Sequence, residues 1–534
     1  MNTSDVIIGH LQAAGIGHVF GYPGDPSVEF LESARRAGMQ FVLGTREGTA
    51  GLMAQAYGQL SGRPGVCLST LGPGSTNLVN AVANAWLDRV PMIAISGQIE
   101  TKREPTFTHQ VIDHQQLFKP ICKWATAVQP HTVATIMRKA LRVAVAERPG
   151  PVHLTTAADV VGAEASDAAI ALPPMAAQRT PQVFAAQGVQ ADPLRRLEAA
   201  RRPMLLVGHS AVWADAGAAL QRLAETLGCP VVVSPMAKGI LDEAHALYAG
   251  TLDMACNACV WDFLRGADLL LAIGFDAVEL IKPWALTVPT IHIDSVPNTD
   301  QVVPAEVEIV GDIGAILDAI ADSAAPGERW SRAEIAEHRQ RLQALYGAGR
   351  VAGRLNPSDV VDVLRAAMPV DTIVSTDVGS HKLLVGQGWT THRARSLLMT
   401  NGLSSMGYSL PAAITAKLLH PHRPVLCFTG DGGLAMVQGE LRVAATLKLD
   451  LIVVVFCDQS LNRIELKQHA RHYPSWGTRI EATDVALLAR AMGCDGLNVD
   501  SARGLEAALA APRSHDRPLV IGASIDPSQY AAQF

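Results

Sequence analysis

Several features are scarce in this chain of 534 residues, and each scarcity excludes a class of protein. Only 18% of the residues are charged, the formal net charge is −6 and the pI is near 6.3. Nucleic-acid binding depends on a basic surface, so this composition argues against a nucleic-acid partner. No apolar run reaches the roughly 18 residues of a membrane span, and the strongest run, 451–457, has the length of a strand. We therefore expect neither nucleic acid nor membrane as a partner.

Cysteines and targeting signals are also sparse. The chain has eight cysteines, and only Cys256 and Cys259 have CxxC spacing, with no second pair nearby. A structural zinc site needs about four ligands, so we interpret the two as free thiols of a cytoplasmic protein. The start MNTSDVIIGH has no basic segment, and no signal peptide is expected. No GxGxxG motif follows a strand with an acid about 20 residues further on, which argues against an NAD-dependent oxidoreductase.

What the sequence does contain is a repeated rhythm of apolar strand, turn and helix. Three blocks show it, and such alternation predicts βαβ units with parallel sheets buried on both faces. The length, at about 100–200 residues per domain, also predicts about three domains. We predict an α/β fold of three doubly wound parallel-sheet domains, over residues 1–165, 190–322 and 355–534. An Ala/Pro-rich stretch at 162–193 is interpreted as a linker.

The strongest local pattern lies where the apolar run VLCFT meets the turn Gly430-Asp431-Gly432-Gly433. Glycines let backbone N–H groups approach an anion, and a following helix adds partial positive charge. A carboxylate beside an anion is repelled unless a cation lies between them. Asp431 therefore predicts Mg²⁺ bound to phosphate oxygens. Taken alone, the turn is equally typical of ordinary Asp-Gly turn chemistry.

A second acid strengthens the metal prediction. Asp458 ends the next apolar run, 27 residues after Asp431. The carboxyl ends of parallel strands form the edge at which open α/β sheets bind ligands. Asp431, Asp458, a backbone carbonyl near Ser460, two diphosphate oxygens and a water would complete the octahedral oxygen set that Mg²⁺ requires.

These motifs resemble those of thiamine-diphosphate (ThDP) enzymes of the acetolactate synthase superfamily. The likeness also rests on GYPGDP, TREGTAGLMAQAYGQLSG, TLGPGSTNLVNAVANAWLDRVPMIAISGQ and NGLSSMGYSLPAAITAK, in family order over essentially the whole chain. It implies pyrimidine-binding, central and diphosphate-binding domains. It also implies a cofactor shared across an obligatory homodimer, and favours a tetramer without deciding between the two assemblies.

The resemblance implies roles for two side chains and one backbone segment around the pyrimidine ring. Glu47 would meet N1′ and favour the imino tautomer that removes the C2 proton. Without the match, Glu47 would be interpreted as a carboxylate favoured by a helix N-terminus. Met406, otherwise a core methionine, would hold the cofactor in its bent shape, and the backbone from Gly402 to Ser404 would meet the pyrimidine amine.

Two glycine-containing turns complete the implied cofactor site. Gly379, Ser380 and His381, in TDVGSHK, resemble a second diphosphate contact, although His381 alone would also suit a capping or surface position. Gly72 and Gly74, in the GPG turn, would place backbone beside the thiazolium, where only glycine permits the approach.

On the substrate side, THQVIDHQQLFKPICKW and AIGFDAVEL are closest to the FAD-independent, catabolic acetolactate synthases, as is Asp458. We expect Gln110 and His109 at the reacting substrate and Gln98 beside it, while a purely structural contact explains His109 equally well. The central block shows no sign of an FAD site, so FAD is not expected.

The implied reaction is loss of carbon dioxide from a 2-oxo acid, followed by attack of the remaining carbanion equivalent on a second carbonyl. The alternative is a non-ligating 2-oxo acid decarboxylase, or an acetyltransferase, acting on a substrate with a second anionic group. Arg46 and Gly48 replace a common His and Gln beside Glu47, so pyruvate-to-acetolactate activity stays open.

Two further departures concern the substrate. Arg463 stands where these synthases usually have Met, and Lys467 where they have Trp or Gln. The two are four residues apart on one predicted helix face, and paired cations would suit a carboxylate, sulfonate or phosphonate. Two other interpretations remain open: the cations offset the charge of Asp458, or they pair with Glu465 and solvent.

Overall fold

The computed structural model describes residues 1–173, 181–189 and 192–534. Three sheets of parallel strands, one of them with an antiparallel edge strand, are flanked by helices. This arrangement confirms the predicted α/β class. No helix in these described ranges combines the length and the apolar character that a membrane span needs.

The N-terminal sheet has the order β2-β1-β3-β4-β6-β5, and every pairing in it is parallel. Its strands are β1 (His18–Tyr22), β2 (Gln40–Leu43), β3 (Gly65–Ser69), β4 (Met92–Gln98), β5 (Trp124–Ala127) and β6 (Pro151–Ala157). Its helices are α1 (Thr3–Ala13), α2 (Val28–Arg36), α3 (Glu47–Ser61), α4 (Pro73–Leu87), α5 (His114–Phe118), α6 (Val133–Val145) and α7 (Ala158–Val161).

The central sheet has the order β10-β9-β8-β11-β12-β13-β7. Its strands are β7 (Gln182–Ala185), β8 (Pro203–Val207), β9 (Val231–Val233), β10 (Tyr248–Thr251), β11 (Leu269–Ile273), β12 (Thr290–Asp294) and β13 (Val307–Val310). Its helices are α8 (Pro193–Ala199), α9 (His209–Trp213), α10 (Gly217–Leu227), α11 (Asn257–Arg265), α12 (Ile313–Ser323) and α13 (Arg332–Tyr346).

The C-terminal sheet has the order β15-β14-β16-β17-β19-β18 and is wholly parallel. Its strands are β14 (Ile373–Thr376), β15 (Leu397–Leu398), β16 (Val425–Gly430), β17 (Ile452–Cys457), β18 (Asp495–Val499) and β19 (Leu519–Ser524). The helices of this part are α14 (Pro357–Ala367), α15 (Ser380–Gly388), α16 (Ser409–Leu419), α17 (Asp431–Val437), α18 (Glu440–Thr446), α19 (Asn462–Ala470), α20 (Val485–Ala491) and α21 (Ala502–Ala510).

The stretch interpreted as a linker contributes regular structure. Within 162–193, residues 174–180 and 190–191 lie outside the described part, but strand β7 pairs antiparallel with β13 at the edge of the central sheet. The linker prediction is wrong for this segment. All four residues of β7 are exposed, so the strand lacks the apolar signature of a buried parallel strand.

The described residues group into two compact units. The first unit holds the N-terminal sheet with two later segments, Gly402–Pro421 and Val437–Leu449; the second holds the central and C-terminal sheets. Helix α16 therefore belongs with the first unit, where Thr415 donates a hydrogen bond to the carbonyl of Met53 on α3. The predicted C-terminal block, 355–534, thus supplies two segments to the N-terminal unit.

The helix predicted after the GDGG turn is interrupted. Helix α17 ends at Val437 and α18 begins at Glu440, with Gly439 between them. A Cβ at Gly439 would lie 3.0 Å from the hydroxyl of Thr45, so glycine permits this close approach. The break follows from that packing and from the low helix propensity of glycine.

A second close approach predicts a stability effect in the N-terminal sheet. A Cβ at Gly65, the first residue of β3, would lie 1.7 Å from the backbone oxygen of Ala54 on α3. We expect Gly65→Ala to lower stability by about 1–3 kcal/mol, because the helix must shift away from the sheet. Gly17→Ala, where no atom lies within 4 Å of the added Cβ, is the matched control. Urea unfolding midpoints test this, and equal midpoints for the two variants contradict it.

Candidate active site

Glu47 is the first residue of α3, and its side chain is only 7% exposed. The Asn77 side-chain amide on α4 donates a hydrogen bond to Glu47 Oε2 at 3.1 Å. The other oxygen faces the GPG turn, because a Cβ at Gly74 would lie 2.9 Å from Glu47 Oε1. The structure therefore brings together Glu47 and Gly74, which were each predicted to meet the cofactor, and adds Asn77, which the sequence did not predict.

The buried carboxylate of Glu440 accepts hydrogen bonds from residues on both sides of Glu47. Glu440 on α18 is fully buried, and its Oε1 accepts hydrogen bonds from Thr45 N at 3.0 Å and from the Thr45 and Thr49 hydroxyls at 2.5 Å. Thr45 and Thr49 flank Glu47 by two residues each. Three hydrogen bonds to one oxygen fix the start of α3, so the backbone of Glu47 is held in place.

The GPG turn contacts the segment predicted to meet the substrate. Gly72 caps α4 with φ +48°, and a Cβ there would lie 2.7 Å from the Gln110 carbonyl oxygen. Gln110 has a positive φ of 60° and is exposed, as is His109, whose ring packs edge-on against Phe107. The structure thus places Gln110 against the predicted cofactor turn.

Gln98, at the end of β4, is 1% exposed, and both ends of its amide are used within the chain. Its Nε2 donates to the Ile112 carbonyl at 3.2 Å, and its Oε1 accepts from Ile99 N at 3.0 Å. Gln98 therefore holds the base of the segment that carries His109 and Gln110. Contact of Gln98 with substrate stays a prediction.

The loop predicted to meet the pyrimidine is held on α4. Asp88 Oδ1 accepts from Gly402 N at 2.7 Å, and Asn80 donates to the Ser405 hydroxyl at 2.7 Å. Ser404 has a positive φ of 55°, and Met406 is half-buried. Since the Gly402 N–H already has an acceptor, a backbone contact with an amine would use its carbonyl oxygen.

The two predicted metal ligands meet at the carboxyl edge of the C-terminal sheet. Asp431 follows β16, and Asp458 follows β17, its parallel neighbour. Burial, together with the Asp431 carboxylate, raises the pKa of Asp458 to about 7, and burial also raises the pKa of Asp431. Two acids that destabilise each other's charge form a site to which a divalent cation is complementary.

Backbone contacts fix the geometry of these acids. Asp431 accepts from Gly432 N at 2.8 Å and from Gln459 N at 2.8 Å, and Asp458 accepts from Ser460 N at 3.2 Å. No group of three or more His, Cys, Asp or Glu side chains suited to a metal occurs in the described ranges. A metal here would therefore take its remaining ligands from backbone, water or a bound phosphate, as the sequence predicted.

His381 lies between the two glycine turns predicted to hold a diphosphate. A Cβ at Gly379 would lie 2.8 Å from the His381 ring, and one at Gly430 would lie 3.2 Å from it. The ring stacks on Phe456, and burial lowers the pKa of His381 to about 3, so the imidazole is neutral. Its buried Nε2 has no hydrogen-bond partner within the described structure, and a phosphate oxygen would supply one.

Two side chains that sequence reasoning missed, Asp377 and Asn462, support these turns. Asp377, at 0% exposure, accepts from Val378 N at 2.7 Å and from the Thr429 hydroxyl at 3.1 Å, and a Cβ at Gly433 would lie 2.5 Å from it. The Ser380 hydroxyl donates to Asn462 on α19 at 2.7 Å. Asp377 is the Asp of the TDVGSHK motif itself, so the motif was the available signal.

The cationic pair predicted on α19 is only partly explained by its neighbours. Arg463 lies over the Phe534 ring at 4.5 Å, and burial lowers its pKa, while Lys467 is exposed. Glu465 pairs instead with Arg479 at 2.8 Å and accepts from two serine hydroxyls. Among the described residues neither cation forms an ion pair with Glu465, whereas Lys467 faces solvent as the same interpretation expected.

Comparison with known proteins identifies the class to which this fold and site belong. Three models of thiamine pyrophosphate enzymes match: the N-terminal TPP binding domain over residues 1–117, the central domain over 191–320 and the C-terminal TPP binding domain over 377–523. The chain is a member of this family, and it is a ThDP-dependent enzyme of the transferase or lyase kind.

Similar proteins of known name show which thiamine pyrophosphate enzymes this chain resembles. The catabolic acetolactate synthase of Raoultella terrigena is 29% identical over 98% of this chain and 95% of its own. The acetolactate synthase large subunit of Corynebacterium glutamicum is 31% identical over 98% and 86%. A probable 2-ketoarginine decarboxylase of Pseudomonas aeruginosa is 32% identical over 90% and 86%. These matches confirm the acetolactate synthase superfamily.

The residues described above fit the cofactor that this family binds. The glycine turns at Gly379 and Gly430, with the unpartnered His381 nitrogen between them, suit an anionic phosphate group. Asp431 and Asp458 suit the cation that would neutralise such a group.

Proposed function

We propose that this protein catalyses ThDP- and Mg²⁺-dependent decarboxylation of a 2-oxo acid, followed by carboligation of the acetolactate synthase type. The observation that carries the proposal is the buried Glu47 carboxylate, held by Asn77 against the GPG turn. The names of the relatives support it, because two of the three reported are acetolactate synthases.

Bound ThDP would supply a carbon acid whose conjugate base attacks the 2-oxo carbonyl and accepts the electrons left by carbon dioxide. The side chains of the protein would hold and transfer the protons that this reaction needs. Glu47 would hold a proton at Oε1, the oxygen that faces Gly74, and exchange it with the cofactor's pyrimidine nitrogen. We propose His109 and Gln110 as the groups that meet the substrate, because Gln110 packs on Gly72 of the same turn.

We propose Asp431, Asp458 and the Ser460 carbonyl as the protein ligands of Mg²⁺, and His381 with the turns at Gly379 and Gly430 as the diphosphate contacts. Gly402, Ser404 and Met406 would receive the pyrimidine. The resemblance implies that the working form is a homodimer, which we adopt, with a tetramer as the further expectation.

The proposal is tested by measuring carbon dioxide release from a series of 2-oxo acids with added ThDP and Mg²⁺. The products then separate the candidates: an acyloin shows carboligation, and an aldehyde shows simple decarboxylation. Release that needs both additions supports the proposal. A protein that binds ThDP but releases no carbon dioxide from any of the acids contradicts it.

A non-ligating decarboxylase is the second candidate, and two observations favour it. The 32% identical relative is named as a probable decarboxylase of 2-ketoarginine. Arg463 is partly buried with no acidic partner in the described structure, which suits a substrate with a second anionic group. The named relative's substrate carries a cationic side chain, so the acid series should include both anionic and guanidino tails.

Lys467→Gln tests the anionic-tail alternative. We expect this change to raise the KM for a 2-oxo acid with a second anionic group by about 5- to 10-fold, the effect of one exposed charge contact, and to leave the KM for pyruvate within about twofold. Lys448→Gln, an exposed lysine after α18, is the control and should change neither value. Equal changes for both substrates would remove the alternative.

A further inference from the structure

We propose that Asn77 is a positioning residue that confines the exchangeable proton of Glu47 to Oε1, and that Arg46 sets the orientation of the Asn77 amide. The inference rests on the proposed role of Glu47. It assigns a function to two side chains that stand outside the predicted site.

The three side chains form one chain of hydrogen bonds. An Arg46 Nη2–H donates to Asn77 Oδ1 at 3.2 Å, and Asn77 Nδ2 donates to Glu47 Oε2 at 3.1 Å. Arginine can only donate, so it fixes which end of the amide faces which neighbour. The oxygen of Asn77 must face Arg46, and the NH₂ group must face Glu47.

This orientation decides where the Glu47 proton can reside. A reversed amide would present its oxygen to Glu47 and accept a hydrogen bond from a protonated Oε2. The observed amide donates to Oε2, so a proton on that oxygen would face a donor. A proton that Glu47 exchanges with the cofactor is therefore directed to Oε1, which lies against Gly74 of the GPG turn.

Two departures from common family residues meet at Asn77. Arg46 stands where a His is common and supplies the orienting donor. Gly48 stands where a Gln is common, and a Cβ there would lie only 3.2 Å from the Asn77 backbone oxygen. The two unusual residues thus share one neighbour, which in turn contacts Glu47.

A second acid, Glu440, lies beside this network of hydrogen bonds but does not contact the Asn77 amide. Glu440 accepts from Thr45 and Thr49 and not from the Asn77 amide. Glu47 itself is 7% exposed, and Arg46 is exposed. The Asn77 amide thus links the Arg46 guanidinium to the Glu47 carboxylate through two hydrogen bonds.

The test compares Asn77→Ala, Asn77→Asp and Arg46→Met with Asn498→Ala, which removes an exposed amide from β18. We expect Asn77→Ala to lower kcat by about 10- to 100-fold, as for one hydrogen bond to a charged group, and Arg46→Met by about 2- to 10-fold. KM, the ThDP dissociation constant by calorimetry and Tm should stay near those of the parent. Asn498→Ala should leave kcat unchanged.

Asn77→Asp gives a readout that a merely structural role would not move. Near pH 8 its carboxylate cannot donate to Glu47, so kcat should fall by about 100-fold. At lower pH the two carboxyl groups can share a proton, which restores a hydrogen bond. We therefore expect the deficit relative to the parent to shrink by at least about tenfold between pH 8 and pH 6.

Three results overturn the inference. One is a kcat of Asn77→Ala equal to that of the parent, while Glu47→Gln is inactive. Another is an Asn77→Asp deficit that does not change with pH. The third is weakened ThDP binding or a lowered Tm that accounts for the whole loss. Absence of carbon dioxide release by the parent from every 2-oxo acid would instead overturn the proposed function, so the two failures are distinguishable.

Discussion

Glu47→Gln is expected to abolish carbon dioxide release, with kcat lowered by about 10²- to 10⁴-fold. Glutamine has nearly the same shape as glutamate and its oxygen can still accept from Asn77, but it cannot exchange a proton with a pyrimidine nitrogen. The side chain is buried at 7% exposure, so bulk water cannot easily replace its proton. The measurement is a steady-state assay of carbon dioxide with saturating ThDP and Mg²⁺.

The control for this variant is cofactor binding. The proposed diphosphate and metal contacts do not include Glu47, so the ThDP dissociation constant should change by less than about tenfold. A variant that binds ThDP and turns over at the parent rate would show that Glu47 has no proton-transfer role. A parent protein that binds ThDP but releases no carbon dioxide from any 2-oxo acid would instead support another class of function, in which the fold binds ThDP for regulation and not for catalysis.

Much of the fold could be predicted because the central strands of parallel sheets are buried on both faces. The runs at β3, β4, β16 and β17 are almost wholly buried, and each is visible in the sequence as an unbroken apolar stretch. Three strands without such a stretch are exposed, short or only partly buried. Strand β7 is exposed along its length, β15 has two residues and β18 is only partly buried.

The grouping of segments could not be predicted, since sequence order does not reveal which helices pack together. Residues 402–421 and 437–449 follow the motifs of the C-terminal sheet, yet they belong to the N-terminal unit. The contact between Glu440 and Thr45 spans 395 residues of sequence. No local periodicity records such a pairing, so the support that Glu440 gives to the start of α3 appears only in the structure.

In the candidate site, the residues carried by compact motifs could be predicted, and those that act through another side chain could not. Asp431 and Asp458 were predicted from strand ends, and the structure places their carboxylates close enough to raise the pKa of Asp458. Asn77 lies three residues after the GPG turn, but an asparagine on a helix has no distinguishing signal. Its role depends on hydrogen bonds to Arg46 and Glu47 that only coordinates reveal.

Asp431→Asn is expected to remove the Mg²⁺-dependent retention of ThDP. The parent should gain about 2.7 kcal/mol of stability at a ThDP concentration one hundred times its dissociation constant. The variant should gain much less at that concentration, because it loses the carboxylate next to Gly430, in the turn proposed to contact the diphosphate, and so holds the cation there more weakly. Thermal unfolding with and without ThDP and Mg²⁺ measures the difference.

Asp458→Asn is the matched comparison for Asp431→Asn. It removes one negative charge from the proposed metal site but leaves an oxygen that can bind the metal. An amide oxygen can still coordinate Mg²⁺, and replacing Asp458 removes its repulsion with the Asp431 carboxylate. We expect Asp458→Asn to keep most of the ThDP-dependent gain in stability, whereas Asp431→Asn loses it. Equal losses in both variants would show that the site needs both charges, and unchanged stabilisation in both would place the metal elsewhere.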